Sequence, residues 1–180
     1  MPSSAHNRWD LTTLPLFANV SAADRAEIMR LATVIDYPGG TTIFTEGEAG
    51  DALYVVLAGR VDVRCCDRWG QVQTLATLEP GAMLGEIALL TDEPRAATAV
   101  TVAETTLLRM TRDTFMAGLK QGGSAGQQIL YNLACGLASR LGEVAQRLAH
   151  LLADRSLVQA AQREDELEEL KRKLFTEWKF

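Results

Sequence analysis

The sequence is poor in the residues that build metal centres and disulfide frameworks. Its 180 residues include three cysteines and two histidines. An odd number of cysteines, two of which are adjacent, is not a disulfide framework. So few nitrogen and sulfur ligands also disfavour a closed zinc site. We therefore expect no metal site, no resident cofactor and a reducing cytoplasmic environment.

The chain also lacks a basic excess and a long apolar run. The chain has 18 basic and 23 acidic residues, which gives a net charge of −5. It therefore lacks the overall positive charge that is typical of nucleic-acid-binding proteins. The longest purely apolar stretch, Ala52 to Ala58, is far too short to span a membrane. Residues 1–10 contain no apolar signal region. These absences predict a cytoplasmic protein without membrane contact.

Proline and glycine are confined to the first four-fifths of the chain. No proline follows Pro94 and no glycine follows Gly142. Short β-prone runs between glycine turns are typical of an antiparallel sandwich, roll or barrel. We expect an α+β fold with an antiparallel β-roll (jelly-roll) flanked by helices over residues 1–123, and a C-terminal helical segment over 124–180. The predicted strands cover 33–37, 41–45, 52–58, 60–66, 71–78, 96–102 and 105–109.

The C-terminal segment, beginning near Ser124, has the apolar spacing of a long helix. Its predicted seam runs through Leu130, Leu133, Leu137, Leu141, Val144, Leu148 and Leu151. This is a heptad pattern with one extra residue near Leu137–Leu141. The seam predicts either a homodimer through this helix or a helix folded on its own roll.

One segment between the predicted strands has the residues of an anion site. Gly85 permits a tight turn and a close backbone approach. The following residues, Glu86 to Leu90, form one or two helical turns whose first N–H groups are free to bind phosphate. Arg95 adds a guanidinium that binds two anionic oxygens at once. Glu86 is suited to accept a hydrogen bond from a ribose hydroxyl.

These residues resemble a known family. The stretches Gly85 to Leu89 and Pro94 to Thr98 are similar to the phosphate-binding cassette of cyclic-nucleotide-binding domains, especially those of protein kinase A regulatory subunits and catabolite-activator-type proteins. Upstream, Glu46 to Asp51 resembles the family's glycine-punctuated β-roll, and Leu14 to Phe17 its entry helix. The resemblance covers about residues 14–140.

The resemblance implies a role for individual residues. Glu86 would accept the ribose 2′-hydroxyl, and Arg95 would bind the cyclic phosphate with backbone N–H groups near Gly85, Glu86 and Ala97. Ala96 lacks the hydroxyl that cyclic-GMP-binding kinases tend to have, which favours cyclic AMP over cyclic GMP. The implied ligand-binding residues are Val63, Leu75, Leu84, Gly85, Glu86, Ile87, Ala88, Arg95, Ala96, Ala97 and Arg140.

Four of these residues carry a further qualification. Val63 and Leu75 correspond to apolar residues that line the base pocket in family members. Leu84 stands where many members have phenylalanine. Arg140 lies where the helix after the roll closes over the base.

The resemblance implies a non-enzymatic sensor that relays ligand binding through its C-terminal helices to an effector protein. No catalytic residues are predicted, because the cyclic phosphodiester is bound intact. The alternatives are an interaction module with a non-binding pocket, a cupin-like enzyme, and a DNA-binding regulator of the catabolite-activator type. Too few histidines disfavour the cupin. Fewer than 30 residues follow the seam, and this short length disfavours a helix-turn-helix module.

Overall fold

The computed structural model describes residues 9–66, 69–91, 93–120 and 124–177, with the side chains of 124, 151 and 154–177 left out. Internal contacts divide the chain into two compact units, residues 1–136 and 137–180. The functional division between residues 123 and 124 stays a prediction. Within the described residues, no helix is both long enough and apolar enough to cross a membrane.

The elements follow the order expected of a β-roll with flanking helices. Two short 3₁₀ turns, Leu11–Thr13 and Pro15–Phe17, come first. The helices are α1 (Ala22–Leu31), α2 (Glu86–Thr91), α3 (Arg112–Lys120) and α4 (Ser124–Glu177). The strands are β1 (Thr33–Tyr37), β2 (Thr42–Phe44), β3 (Ala52–Ala58), β4 (Val61–Cys66), β5 (Val72–Leu78), β6 (Met83–Leu84), β7 (Thr98–Thr101) and β8 (Thr105–Thr111).

The eight strands form two antiparallel four-stranded sheets. One has the order β1-β8-β3-β6 and the other β2-β7-β4-β5. A shared core lies between them, built from Ala52, Tyr54, Val56, Val61, Leu84, Ala99 and Leu107. The intervening β3 residues, Leu53 and Val55, are buried as well. This explains why β3 is an unbroken apolar run, since a strand buried on both faces has no polar alternation. The predicted fold class is confirmed.

Local signals explain where the first helix begins. The Ser21 side chain caps α1 by accepting a hydrogen bond from the Asp24 N–H at 3.1 Å, which satisfies one of the free N–H groups of the first turn.

The first turns of α4 are held by Asn132 against the second 3₁₀ turn and the residue that follows it. Its Nδ2 donates to the carbonyl oxygens of Leu16 and Ala18, both at 2.8 Å.

The structure corrects the predicted seam of α4. Leu133, assigned to the seam, is completely buried in the core of residues 1–136. Its neighbours Leu130 and Ala134 are exposed. Positions 130, 134, 141, 144 and 148 are exposed and Leu137 is half-buried. Together these six apolar positions follow a regular heptad spacing. The predicted extra residue near Leu137–Leu141 is therefore wrong, because it came from counting a core leucine as part of the seam.

Candidate functional site

The predicted cassette begins where β6 ends. Gly85 follows Leu84 with φ of 81°, a backbone conformation that side chains with a Cβ rarely adopt. A Cβ at this position would overlap Nη1 of Arg95 and lie 3.0 Å from the carbonyl oxygen of Ala52. Glycine is thus required both for the turn into α2 and for the room that the arginine occupies.

Arg95 is held inside this turn. Its side chain is 2% exposed, and Nη1 donates to the Gly85 carbonyl oxygen at 3.0 Å. The guanidinium carbon lies 4.3 Å from the centroid of the Phe44 ring and 5.9 Å from that of Tyr54. These distances allow a cation–π attraction that partly replaces the hydration of the charge.

The charge of Arg95 is incompletely paired. The Asp51 carboxylate lies 3.7 Å from Nη2 and belongs to a side chain that is 69% exposed. The buried Nε has no hydrogen-bond partner within the protein. Burial lowers the pKa of the Arg95 guanidinium, while the charges of Asp51 and Glu48 act in the opposite direction. A buried cation with an unused donor is suited to bind an anion.

Main-chain bonds fix the position of Arg95. The Arg95 N–H donates to the carbonyl oxygen of Glu48 at 2.8 Å, and the Gly47 N–H donates to that of Arg95 at 2.9 Å. The loop between β2 and β3 is therefore joined to the cassette by two main-chain hydrogen bonds, one donated from each side. At the end of this loop, the Asp51 carboxylate also accepts a hydrogen bond from Arg109 Nη2 at 2.6 Å.

The remaining cassette residues differ in exposure. Glu86 and Ala88 are buried, whereas Ile87 points to the surface. Ala96 is exposed and Ala97 half-buried. Leu84 is buried in the core between the sheets. The structure thus brings Leu84, Gly85 and Arg95 into one compact arrangement. No observation assigns a ligand contact to Glu86.

The two predicted base-pocket residues lie on neighbouring strands. Val63 of β4 is half-buried and pairs with Ala76 of β5 and Ala99 of β7. Leu75 lies at the register shift between β4 and β5, and it is 54% exposed. Arg140 belongs to α4 in the second compact unit. The base-contacting roles of Val63, Leu75 and Arg140 stay predictions.

Several residues of this site were missed by the sequence analysis. Asp51, Phe44 and Tyr54 surround the guanidinium, and none was assigned a role. The available signal for Asp51 was its position as a carboxylate immediately before the apolar strand β3. No such signal marks the two aromatic residues, because aromatic side chains in strands usually serve the core.

Outside the cassette, the described residues include a cavity but no metal-ligand cluster. Among these residues, no group of three histidine, cysteine, aspartate or glutamate side chains is placed to hold a metal ion. A cavity of about 490 Å³ lies between α1, α3 and the first turns of α4, with Ile28, Phe115 and Ile129 in its lining. None of the predicted ligand-binding residues lines this cavity.

Comparisons with known proteins agree with this geometry. The cyclic AMP receptor protein of Thermus thermophilus is 40% identical over 107 residues, which make up 59% of this chain and 48% of that protein. The crystal structure of Thermus thermophilus catabolite activator protein aligns with a TM-score of 0.68 and 35% identity, covering 76% of this chain and 62% of that one. The cAMP-dependent protein kinase regulatory subunit of Aspergillus fumigatus is 36% identical over 105 residues, which make up 58% of this chain and 25% of that protein.

The chain therefore spans about half the length of the Thermus receptor protein and about a quarter of the kinase subunit. A family model described as the cyclic nucleotide-binding domain matches residues 34–121. This range contains β2 to β8, the glycine turn at Gly85 and the buried Arg95. Both the sequence match and the arrangement of these residues lead to one conclusion: residues 34–121 form a cyclic nucleotide-binding domain.

Proposed function

We propose that the protein is a non-enzymatic sensor of cyclic AMP. The observation that carries this proposal is the buried guanidinium of Arg95, whose Nε has no partner within the protein. The cyclic phosphate would supply acceptor oxygens and a negative charge to this donor. The names of the similar receptor protein and kinase subunit support cyclic AMP as the ligand.

The proposed contacts are those that the family resemblance implies. Glu86 would accept the ribose 2′-hydroxyl, and backbone N–H groups near Gly85, Glu86 and Ala97 would assist Arg95. The adenine ring would lie against Val63 and Leu75, whose surface is accessible. Contact with an apolar ring would remove the exposed Leu75 side chain from water, which favours binding. Arg140 of α4 would close over the base.

Ligand binding would act by shifting a conformational equilibrium. A ligand stabilises the conformation that it binds more tightly, so contacts made by both the cassette and α4 would favour a closed arrangement. We propose that the exposed heptad stripe of α4 forms a homodimer and that α4 relays the ligand state to an effector protein. A DNA-binding regulator of the catabolite-activator type is the alternative.

Isothermal titration calorimetry with cyclic AMP and cyclic GMP tests the binding proposal. Arg95→Ala should weaken cyclic AMP binding by about 2–5 kcal/mol, at least about 30-fold, because the buried phosphate loses its counter-charge. Arg95→Lys should also weaken it, since an ammonium cannot replace the planar fork. Arg30→Ala is the control, because Arg30 is exposed and paired with Glu27. Unchanged affinity in a folded Arg95→Ala protein would contradict the assignment.

A second titration separates the protein-relay proposal from the DNA-binding alternative. The net charge of −5 favours a protein partner over nucleic acid. With labelled duplex DNA, we expect only weak association that disappears as salt is raised. Tight, sequence-selective binding at physiological salt in the presence of cyclic AMP would establish the alternative.

A further inference from the structure

The carboxylate of Asp51 lies between two guanidinium groups. Its Oδ2 accepts a hydrogen bond from Nη2 of Arg109 at 2.6 Å, whereas its Oδ1 lies 3.7 Å from Nη2 of Arg95. The first distance is that of a charge-assisted hydrogen bond, and the second is too long for a hydrogen bond. Asp51 is therefore bound to Arg109, although its charge also acts on the buried Arg95.

The sheet fixes the position of Arg109. This residue lies on β8, where it pairs with Thr33 of β1 on one side and with Tyr54 of β3 on the other. Side chains of directly opposite residues project from the same face of an antiparallel sheet, and Tyr54 belongs to the core between the two sheets. The Arg109 side chain therefore starts from the inner face of its sheet, and 27% of it is exposed.

Tyr54 connects the two arginines. Its ring centroid lies 5.9 Å from the guanidinium carbon of Arg95, and its hydroxyl forms a hydrogen bond with Arg109. Burial acts to lower the pKa of Arg109, but this hydrogen bond and the charge of Asp51 outweigh it and raise the pKa. Arg109 is thus anchored on a central strand, whereas Asp51 lies at the end of a loop with a largely exposed side chain.

The Asp51 carboxylate and a ligand phosphate require the same donors of Arg95. Carboxylates and phosphates both accept paired hydrogen bonds from a guanidinium fork. A movement of Asp51 by about 1 Å would bring Oδ1 within hydrogen-bond distance of Arg95 Nη2. A phosphate would then have to displace this carboxylate, and its apparent affinity would fall with the fraction of protein in which Arg95 is accessible. The hydrogen bond from Arg109 opposes that movement.

We propose that Arg109 is a positioning residue that holds the Asp51 carboxylate away from Arg95 and so keeps the guanidinium of Arg95 available to the ligand phosphate. Arg109 acts through Asp51 and not through contact with the ligand. This inference rests on the proposed binding of cyclic AMP. It gives the site a residue that sets affinity from outside the cassette.

Isothermal titration calorimetry of the 180-residue chain with cyclic AMP tests the proposal in a double-mutant cycle. Arg109→Met removes the charge and should weaken binding at least about fivefold, because the released Asp51 carboxylate pairs with Arg95. Asp51→Asn alone should leave the affinity within about threefold of the wild type, since Arg109 already holds that carboxylate. Arg109→Met combined with Asp51→Asn should bind within about threefold of Asp51→Asn, because the competing carboxylate is absent from both.

Glu48→Gln is the matched control, because it removes the same charge from the same exposed loop. Hydrogen bonds from Thr45 lower the pKa of Glu48, so this carboxylate is already engaged elsewhere. Arg109→Met should therefore weaken binding in the Glu48→Gln background as much as in the wild type. Arg109→Lys keeps a cationic donor beside Asp51, and its affinity should lie between those of the wild type and Arg109→Met.

The possible results separate this inference from the proposed function. Unchanged affinity in Arg109→Met, or an equal loss in the wild-type and Asp51→Asn backgrounds, overturns the inference and leaves cyclic AMP binding intact. A loss that Glu48→Gln relieves as fully as Asp51→Asn also overturns it, since the charge of the whole loop would then be responsible. Failure of the wild type to bind cyclic AMP overturns both. If circular dichroism shows that Arg109→Met is unfolded, Arg109→Gln takes its place in the cycle and decides by the same criteria.

Discussion

A guanidinium has five N–H donors in a fixed fork, and the protein supplies Arg95 with few acceptors. The Gly85 carbonyl oxygen takes one hydrogen bond, and the Asp51 carboxylate lies too far away for another. The aromatic rings of Phe44 and Tyr54 attract the charge without accepting in the plane of the fork. Arg95 is thereby buried and oriented by the protein while part of its hydrogen-bonding capacity stays unused.

Gly85 controls the space in which this arginine lies. Gly85→Ala should reduce cyclic AMP affinity, because the new Cβ overlaps Nη1 of Arg95. It should also destabilise the protein by more than the roughly 1 kcal/mol that a positive φ costs alanine. Gly40→Ala is the matched control, since Gly40 has φ of 78° and an open surrounding. Calorimetry and urea unfolding measure the two effects. Equal losses in both variants would show that Arg95 does not need this space.

The exposed Ala96 offers a test of base selectivity. Ala96→Thr adds a hydroxyl at a position where the side chain has room. The relative affinity for cyclic GMP should rise by about 1 kcal/mol, the value of one added hydrogen bond. Competition between the two nucleotides measures this ratio. Ala103→Thr, at another exposed alanine, should leave it unchanged. Tighter binding of cyclic GMP than cyclic AMP by the wild type would refute the selectivity argument.

At the scale of elements, the β4–β5 hairpin carries a pH-dependent contact. The Asp62 carboxylate accepts hydrogen bonds from Arg64 Nη2 and Thr77 Oγ1, both at 2.8 Å. The bond from Arg64, followed by that from Thr77, lowers the pKa of Asp62 below its ordinary value of 3.8. Because the folded state holds the charged form more tightly, this contribution is complete above the unfolded pKa and is lost as pH falls through the folded pKa.

Asp62→Asn should therefore reduce stability by about 1 kcal/mol at pH 7. The difference from the wild type should shrink as the pH falls below 3.8 towards the lowered folded pKa. Urea unfolding at several pH values between 3 and 7 measures it. Glu104→Gln, at an exposed residue, serves as a control for removal of a surface charge. A stability difference that is independent of pH would show that the charge of Asp62 does not contribute.

The sequence predicted most strands but missed two elements. Glycine turns and the unbroken run of β3 located the roll, because these signals are local. The two-residue strand β6 was read as part of the cassette, since it exists only by pairing with Tyr54 and Val55. Helix α3 was missed because it contains Gly118 and a single buried residue, Phe115.

The site was predicted only as far as its local motif extends. Gly85 and Arg95 belong to one continuous stretch, and the structure brings them into contact. Asp51 and Phe44 come from more distant parts of the chain, and only the folded roll places them at the guanidinium. The seam error has the same origin. Apolar spacing cannot distinguish Leu133, which packs in the first unit, from the exposed positions beside it.

At the scale of the whole molecule, the exposed stripe of α4 predicts self-association. Leu141 is 71% exposed, and Val144, Leu148 and Leu152 are exposed as well. A two-fold axis allows one such stripe to cover its own copy. Val144→Glu with Leu148→Glu would place like charges in the shared seam and should give monomers. Gln146→Glu with Ala149→Glu, on exposed positions outside the stripe, should leave the dimer intact.

Sedimentation equilibrium distinguishes these outcomes, with each protein studied with and without cyclic AMP. A monomeric wild type at tens of micromolar in both conditions would refute the dimer. Dissociation of the outer-face control to the same extent as the seam variant would show that added charge alone separates the subunits.

The acidic loop bonded to Arg95 has a consequence for the rate at which a ligand arrives. Glu46, Glu48 and Asp51 are exposed there, and the chain carries a net charge of −5. An anion approaching from solution meets this repulsive field before it reaches the buried cation, so electrostatic steering is absent. Salt screens the long-range field more strongly than the buried contact. The association rate constant for cyclic AMP should therefore rise with ionic strength, the opposite of the salt dependence of a basic protein that captures an anionic ligand.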